Sequence, residues 1–210
     1  MNEIVLVTLD DLLYPPALNR NLGDVAPKTI TALGNLDALH SQKLALFCSV
    51  KCPGDLILKT YDLARDLRQA GVTVISGFHS PMERECLDIL LRGTQPVIAC
   101  PARGIEGMRV RPEYRQPLEE GRLLFLSPFE AKQRRATVEM AQYRNRFVAA
   151  LADKIFVAYA EPNGKTEQFC REVVAWGKSL YTLESDAKAH LIALGASAES
   201  PESLIVCLEG

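Results

Sequence analysis

The order of elements along the sequence predicts an α/β fold, with a mostly parallel sheet carrying helices on both faces. A single domain over residues 43–210 is expected, with residues 1–42 as an N-terminal extension packed on it. Three observations carry this reading. Short apolar runs alternate with longer segments of helical period, as in strands joined by crossover helices. The short runs are apolar almost throughout rather than at every second residue, which fits burial on both faces of a parallel sheet. A chain of 210 residues, 48% of them hydrophobic and 24% charged, is long enough to fill one core without a disulfide or metal as a staple.

Strands are expected at KLALFCS (43–49), VTVISG (72–77), QPVIACP (95–101), GRLLFLSP (121–128), DKIFVAYA (153–160) and SLYTLES (179–185). Between the first two, Leu56, Leu63 and Leu67 form one helical stripe that starts after Pro53 and Gly54 and stops at Gly71. The next helix aligns Met82, Cys86, Ile89 and Leu90. Ser80 is placed to cap it, Pro81 occupies its first position, Glu83 completes a capping box, and Gly93 ends it. Residues 1–42 hold a Pro-rich turn at Pro15 and Pro16 and one further strand near Thr29 to Leu33. No internal repeat or long linker interrupts this order.

Composition narrows the function classes. A formal net charge of -2 gives no global attraction to nucleic acid, so polyanion binding has to come from local clusters of arginine. The six cysteines are dispersed, with no C-x-x-C pair and only three histidines beside them, which argues against a metal site. Nothing in the sequence calls for a cofactor. The N-terminal stretch has neither the basic nor the long apolar region of a secretion signal, and no apolar run reaches a membrane span, so a cytoplasmic protein is expected.

Ligands of an open parallel sheet bind outside the carboxyl ends of its strands, where loops lead into helix N-termini. Four unusual stretches fall at that edge: CSVKCPGD, SGFHSPME, CPARGIEGMR and YAEPNGKTEQ. In the second, Ser76, Gly77, His79 and Ser80 suit a phosphate or nucleotide cradle, although capping alone accounts for Ser80. In the fourth, Gly164, Lys165 and Thr166 supply an open backbone position, a cation and a hydroxyl, without Walker A spacing. Arg144, Asn145 and Arg146, read as lying near a helix start, offer two guanidinium groups and an amide for phosphate and sugar. Arg103, Arg109, Arg111, Arg115, Lys132, Arg134 and Arg135 make a possible basic rim. No nucleophile is paired with a base, so no catalytic residue is assigned.

With YPPALNRNL, ALGNLDAL, ALFCS, GVTVISG, RNRFVAALAD, AWGKSLYTL and HLIALGA in this order, the chain resembles the DprA/Smf family of DNA-processing proteins. The resemblance implies a Rossmann-like core and binding of single-stranded DNA or a nucleotide in a pocket rimmed by glycines and basic residues. It also implies a homodimer and the recombinase RecA as partner. The family's Gly-Ser-Arg turn corresponds here to Cys48, Ser49 and Val50, which places Ser49 among the ligand-binding candidates. In the family's S-G-x-A-x-G-I-D turn, Pro81 stands for the second glycine and Glu83 for the aspartate. The segment RNRFVAALADKIFVAYAEPNGKTEQF is similar in layout to the related LOG phosphoribohydrolases. Non-catalytic binding is therefore the expectation. The alternatives are hydrolysis of a nucleotide N-glycosidic bond, assisted by Glu83 or Glu167, and sensing of a nucleotide-derived ligand.

Overall fold

The computed structural model describes residues 3–185 and 189–209. Its strands are β1 (Ile4–Thr8), β2 (Thr29–Leu33), β3 (Lys43–Cys48), β4 (Thr73–Ser76), β5 (Val97–Ala99), β6 (Leu123–Ser127), β7 (Lys154–Tyr159), β8 (Leu180–Leu183) and β9 (Ser197–Glu199). They form one sheet in the order β1-β2-β6-β5-β4-β3-β7-β8-β9. From β3 to β9 neighbouring strands are parallel, while β2 runs antiparallel to both β6 and β1. The architecture is Rossmann-like, as the sequence predicts.

The helices are α1 (Pro16–Leu22), α2 (Gly54–Gln69), α3 (Pro81–Leu90), α4 (Pro112–Glu119), α5 (Val138–Leu151), α6 (Lys165–Ala175), α7 (Ala189–Ala193) and α8 (Pro201–Glu209). On one face α2, α3, α4 and α8 bury Leu63, Leu67, Cys86, Leu90, Leu118 and Leu204. On the other, α1, α5, α6 and α7 bury Leu18, Phe147, Val148, Phe169, Val173 and Leu191. Each helix thus turns one apolar stripe to the sheet. After β3 the chain lays β4, β5 and β6 to one side, then crosses back through α5 to place β7 on the other side of β3. Connections leaving β3 and β7 diverge, and the gap between them is the topological switch point of the sheet.

Several elements have local causes visible in the sequence. Ser80 Oγ accepts from the Glu83 amide at 3.2 Å while the Glu83 carboxylate accepts from the Ser80 amide at 3.0 Å, a complete capping box for α3. After α2 the chain turns at Gly71 with φ of 72°, a left-handed conformation that suits glycine. The Pro-rich stretch in the extension continues into α1, because Pro16 sits at a first-turn position where its missing N–H leaves nothing unpaired. Helix α5 begins six residues before Arg144, capped by Thr137 Oγ1, which accepts from the Met140 amide at 3.2 Å. The Arg144 to Arg146 segment is therefore mid-helix.

The extension adds two strands to the sheet and shares the core under α5. Asn21 Nδ2 donates to the Ala150 carbonyl at 3.0 Å, and the Tyr143 hydroxyl donates to that of Val25 at 2.7 Å. The buried Tyr14 hydroxyl donates to the Pro27 carbonyl at 2.6 Å, joining the start of α1 to the approach to β2. Tyr14→Phe removes this donor and leaves the acceptor unpaired, so it should lower stability by about 1 kcal/mol. Urea unfolding measures this, and an unchanged midpoint would show that the bond contributes nothing to stability.

Candidate functional site

The site grows from the turn between β4 and α3. Ser76 ends β4 wholly buried, and its hydroxyl donates to the Leu46 carbonyl of β3 at 2.6 Å while accepting from the Phe78 amide at 3.3 Å. Its oxygen is thus spent on the turn itself. At Gly77 a Cβ would stand 1.5 Å from Nη1 of Arg144, so only glycine admits the guanidinium this close to the backbone. Phe78 follows with φ of 45°, a strained left-handed conformation for a bulky residue.

Arg144 comes from α5 and is only 5% exposed. Its Nη1 donates to the Cys100 carbonyl at 2.9 Å and its Nε to Asn145 Oδ1 at 2.9 Å. Burial lowers its pKa, and the Glu83 carboxylate opposes that shift. Glu83, also buried, accepts from the His79 and Ser80 amides through Oε2, at 2.8 and 3.0 Å, and from the Cys48 amide through Oε1 at 3.1 Å. One carboxylate thereby fastens the end of β3 to the turn after β4, and supplies the negative charge beside the buried guanidinium.

Above this base lies a cavity of about 270 Å³, which takes in Gly77, His79, Arg103 and Arg144 together with Arg84, Arg109 and Arg111. Among the described residues no carboxylate lines it. Arg84 folds back to donate to the His79 carbonyl through Nε and Nη2, at 3.1 and 2.8 Å. The Ser127 hydroxyl donates to the Arg103 carbonyl at 2.8 Å and so ties the loop after β5 to the end of β6. Tyr114 and Phe125, with ring centroids 6.3 Å apart, join Leu87 and Met108 as an apolar wall. Guanidinium groups beside an apolar wall match an anion that carries a flat ring.

The remaining candidates gather elsewhere at the same sheet edge. Asn145, Arg146, Lys165 and Thr166 line a shallow depression of about 90 Å³ between α5 and α6. Arg146 is held there by Glu172, with Nε to Oε2 at 2.6 Å and Nη2 to Oε1 at 2.8 Å. Positions two apart on a helix face different ways, so Arg144 enters the cavity while Arg146 ties α5 to α6. Ser49 bridges elements: its amide donates to the Tyr159 carbonyl, and its hydroxyl donates to Thr166 Oγ1 at 3.0 Å and accepts from the Glu161 amide at 3.0 Å. Gly164 caps α6, and a Cβ there would approach the Glu161 carbonyl to 2.8 Å. Ser80 is buried in its cap.

The sequence-predicted residues are therefore sorted into a cavity, a helix–helix depression and the turns that build them. Arg84 was missed because its place inside α3 gives no signal of reaching back over the turn. Of the basic rim, Arg103, Arg109 and Arg111 reach the cavity, whereas Arg115 lies in a separate groove with Ile4 and Leu33. A larger cavity of about 390 Å³ opens at the amino ends of β3, β4 and β5, but its cations are occupied: Lys43 Nζ donates to the Leu39 carbonyl at 3.0 Å and lies 3.5 Å from Asp153. Gly77→Ala should displace Arg144 and cost about 1 to 3 kcal/mol by overpacking. Thermal denaturation with and without Arg144→Ala tests the cause, since truncating the arginine should remove most of the glycine variant's penalty.

The sequence matches the DNA recombination-mediator protein A family over residues 5–208. DNA processing protein A from Helicobacter pylori, whose structure is described for its single-stranded DNA binding mode, shares 21% identity. That comparison covers 100% of this chain and 98% of the other with a TM-score of 0.78. DNA processing protein A from Streptococcus pneumoniae shares 18% identity over 97% of this chain and 74% of its own, with a TM-score of 0.81. A molybdenum cofactor binding protein from Rippkaea orientalis has the fold at 10% identity, over 80% of this chain and 96% of the other, with a TM-score of 0.56. No curated protein matches the sequence. With nearly its whole length accounted for by one family, the chain belongs to the DNA recombination-mediator protein A family.

Proposed function

We propose that this protein binds single-stranded DNA or a nucleotide in the arginine-lined cavity, without turning it over. The observation that carries the reading is the gathering of Arg84, Arg103, Arg109, Arg111 and Arg144 around one small cavity, with no carboxylate among its described lining residues. A net charge of -2 spread over the whole chain does not cancel this field, because salt screens charges beyond about 8 Å at physiological ionic strength. Arg134 adjoins Arg103 and Arg109 in a neighbouring depression, where the three arginines outnumber the single carboxylate, Glu106, and extend the cationic surface for a strand longer than one nucleotide. Family membership and the single-stranded DNA binding described for the Helicobacter pylori protein support the same ligand class.

Two carboxylates bear on the hydrolase alternative. Glu83 is held by three backbone amides, and Glu167 accepts from the Asn163 amide at 2.9 Å and pairs with Arg171. Both are committed to holding turns, which supports binding without hydrolysis. Family membership further supports a homodimer, a recombinase partner and work in the cytoplasm. None of the described helices is long and apolar enough to cross a membrane.

Fluorescence anisotropy with a labelled oligothymidylate tests the reading. If three or four phosphates are neutralised, the slope of log affinity against log salt should be roughly -2 to -3 for a single strand. Arg103→Glu combined with Arg109→Glu should weaken binding at least about tenfold, or about 1.4 kcal/mol, at unchanged melting temperature. Retained affinity in that folded variant would move the site elsewhere. Release of free base from nucleoside monophosphates would instead favour the hydrolase.

A further inference from the structure

The outer edge of β1 has strand geometry and no neighbouring strand. Strand β1 ends the sheet and pairs with β2 alone. Leu9 continues that ladder, its amide donating to the Lys28 carbonyl at 3.0 Å. Bonding alternates along an antiparallel pair, so Val5 and Val7 belong with Leu9 to the inward set, while the amides and carbonyls of Ile4 and Leu6 point away from β2. Among the described residues none bonds to those outward groups. Thr8 is outward as well, but Asp11 satisfies it: the Thr8 amide donates to Asp11 Oδ2 at 2.6 Å, and the Thr8 carbonyl accepts from the Asp11 amide at 3.0 Å. The stretch from Ile4 to Leu6 is left open. Natural edges are commonly blunted by lysine, proline or a bulge, and IVLVT has none of these in an unbroken register with β2.

The side chains add a second feature. Val7 and its partner Ile30 face the core under α5, so Ile4 and Leu6 turn with Leu33 to the α4 side, where Ile4 is 37% and Leu6 56% exposed. On that side an apolar groove of about 310 Å³ is walled by Ile4, Leu33, Ile105, Met108, Val110 and Leu118, with Arg115 and Glu119 of α4 beside them. A strand added outside β1 would lie about 4.8 Å away. Every second side chain of it would then stand over the groove. Exposed acids flank the open stretch, Glu3 before it and Asp10 and Asp11 after it.

We infer that this edge takes an extended peptide segment of a partner protein, apolar at alternate positions and carrying a lysine or arginine at each end. The added strand bonds to Ile4 and Leu6, sets its apolar side chains toward the groove and meets the flanking carboxylates with its cations. A second copy of this chain fits less well. Antiparallel self-pairing runs the Glu3 end of one copy along the Asp10 end of the other, acid beside acid, and so short an edge buries far less than the roughly 1,200 Å² of a stable interface. Met108 and Val110 also line the arginine cavity, so the docked segment stands next to it.

The probe is the fluorescein-labelled peptide Lys-Thr-Leu-Thr-Leu-Thr-Lys, and anisotropy should show saturable binding to the full chain. With peptide bound, amide hydrogen exchange at Ile4 and Leu6 should slow at least about tenfold, while Val5 and Val7, already paired with β2, stay unchanged. Leu6→Pro removes an outward N–H that the fold does not use, and Ile4→Lys brings a charge to the groove. Each should weaken binding at least about tenfold, or about 1.4 kcal/mol, at unchanged melting temperature. No binding, undiminished binding to either folded variant, or binding without slower exchange at Ile4 and Leu6 would overturn the inference. A mass that doubles with protein concentration, and no longer does so in Leu6→Pro, would give the edge to a second copy and overturn it as well. No nucleotide enters these measurements, so their outcome is independent of the proposed function.

Discussion

A guanidinium withdrawn from water needs a negative charge and hydrogen-bond acceptors nearby, and the carboxyl edge of this sheet is arranged around that need. Arg144 has Glu83 beside it, the Cys100 carbonyl on Nη1, the Asn145 amide oxygen on Nε, and a glycine where any side chain would displace it. Losing Glu83 would unpair three backbone amides and remove the negative charge that offsets part of the cost of burying Arg144. The turn at Gly77, the cap of α3 and the end of β3 are all joined through these two side chains, so the geometry of the cavity floor and the stability of the edge are one property.

Topology explains why this arrangement lies where it does. Strands β3 and β7 are neighbours whose following connections diverge, and the loops after β3, β4 and β5 all rise on the same side of the sheet. Helix α5 returns beneath these loops on its way from β6 to β7, so a residue in its middle reaches the floor of a site whose walls come from loops far apart in sequence. Arg144 is that residue. Its neighbour Arg146, turned by two helical positions, meets Glu172 of α6 and fixes the two helices instead.

Elements with strong periodicity or strong punctuation were legible in the sequence. The apolar strands at the centre, the stripe of α2, and the Ser80, Pro81 and Glu83 start of α3 can all be read from residue order, because each rests on contacts a few positions apart. Strand β9 could not be, since Ser197 to Glu199 is short, polar and defined only by pairing with β8. Strand β1 likewise lies at a sheet edge and owes its place to pairing with β2. At the site, Gly77 and Arg144 could be named separately but not joined, because no local rule indicates that a helix 67 residues later sends its guanidinium against that glycine. The committed hydrogen bonds of Ser49, Ser76 and Glu83 are similarly invisible until the fold brings their partners close.

The arginines of this cavity come from elements other than the loop after the first core strand, where the family resemblance implies an arginine. In the resembling family an arginine commonly follows the first core strand, yet Val50 stands there with 74% of its surface exposed. Across the cavity, the loop after β5 and the start of α4 contribute Arg103, Arg109 and Arg111, and α3 adds Arg84. Attraction for a phosphate depends on the cations within about one Debye length, roughly 8 Å at physiological salt, rather than on which loop carries them. Bidentate contact, by contrast, depends on where each guanidinium fork points. On the proposed reading, these arginines give the cavity a positive field, and a phosphate there would be grasped from their side of it. A strand lying in this crevice would be held chiefly from the β5 and α3 side, with the β3 turn as an uncharged margin.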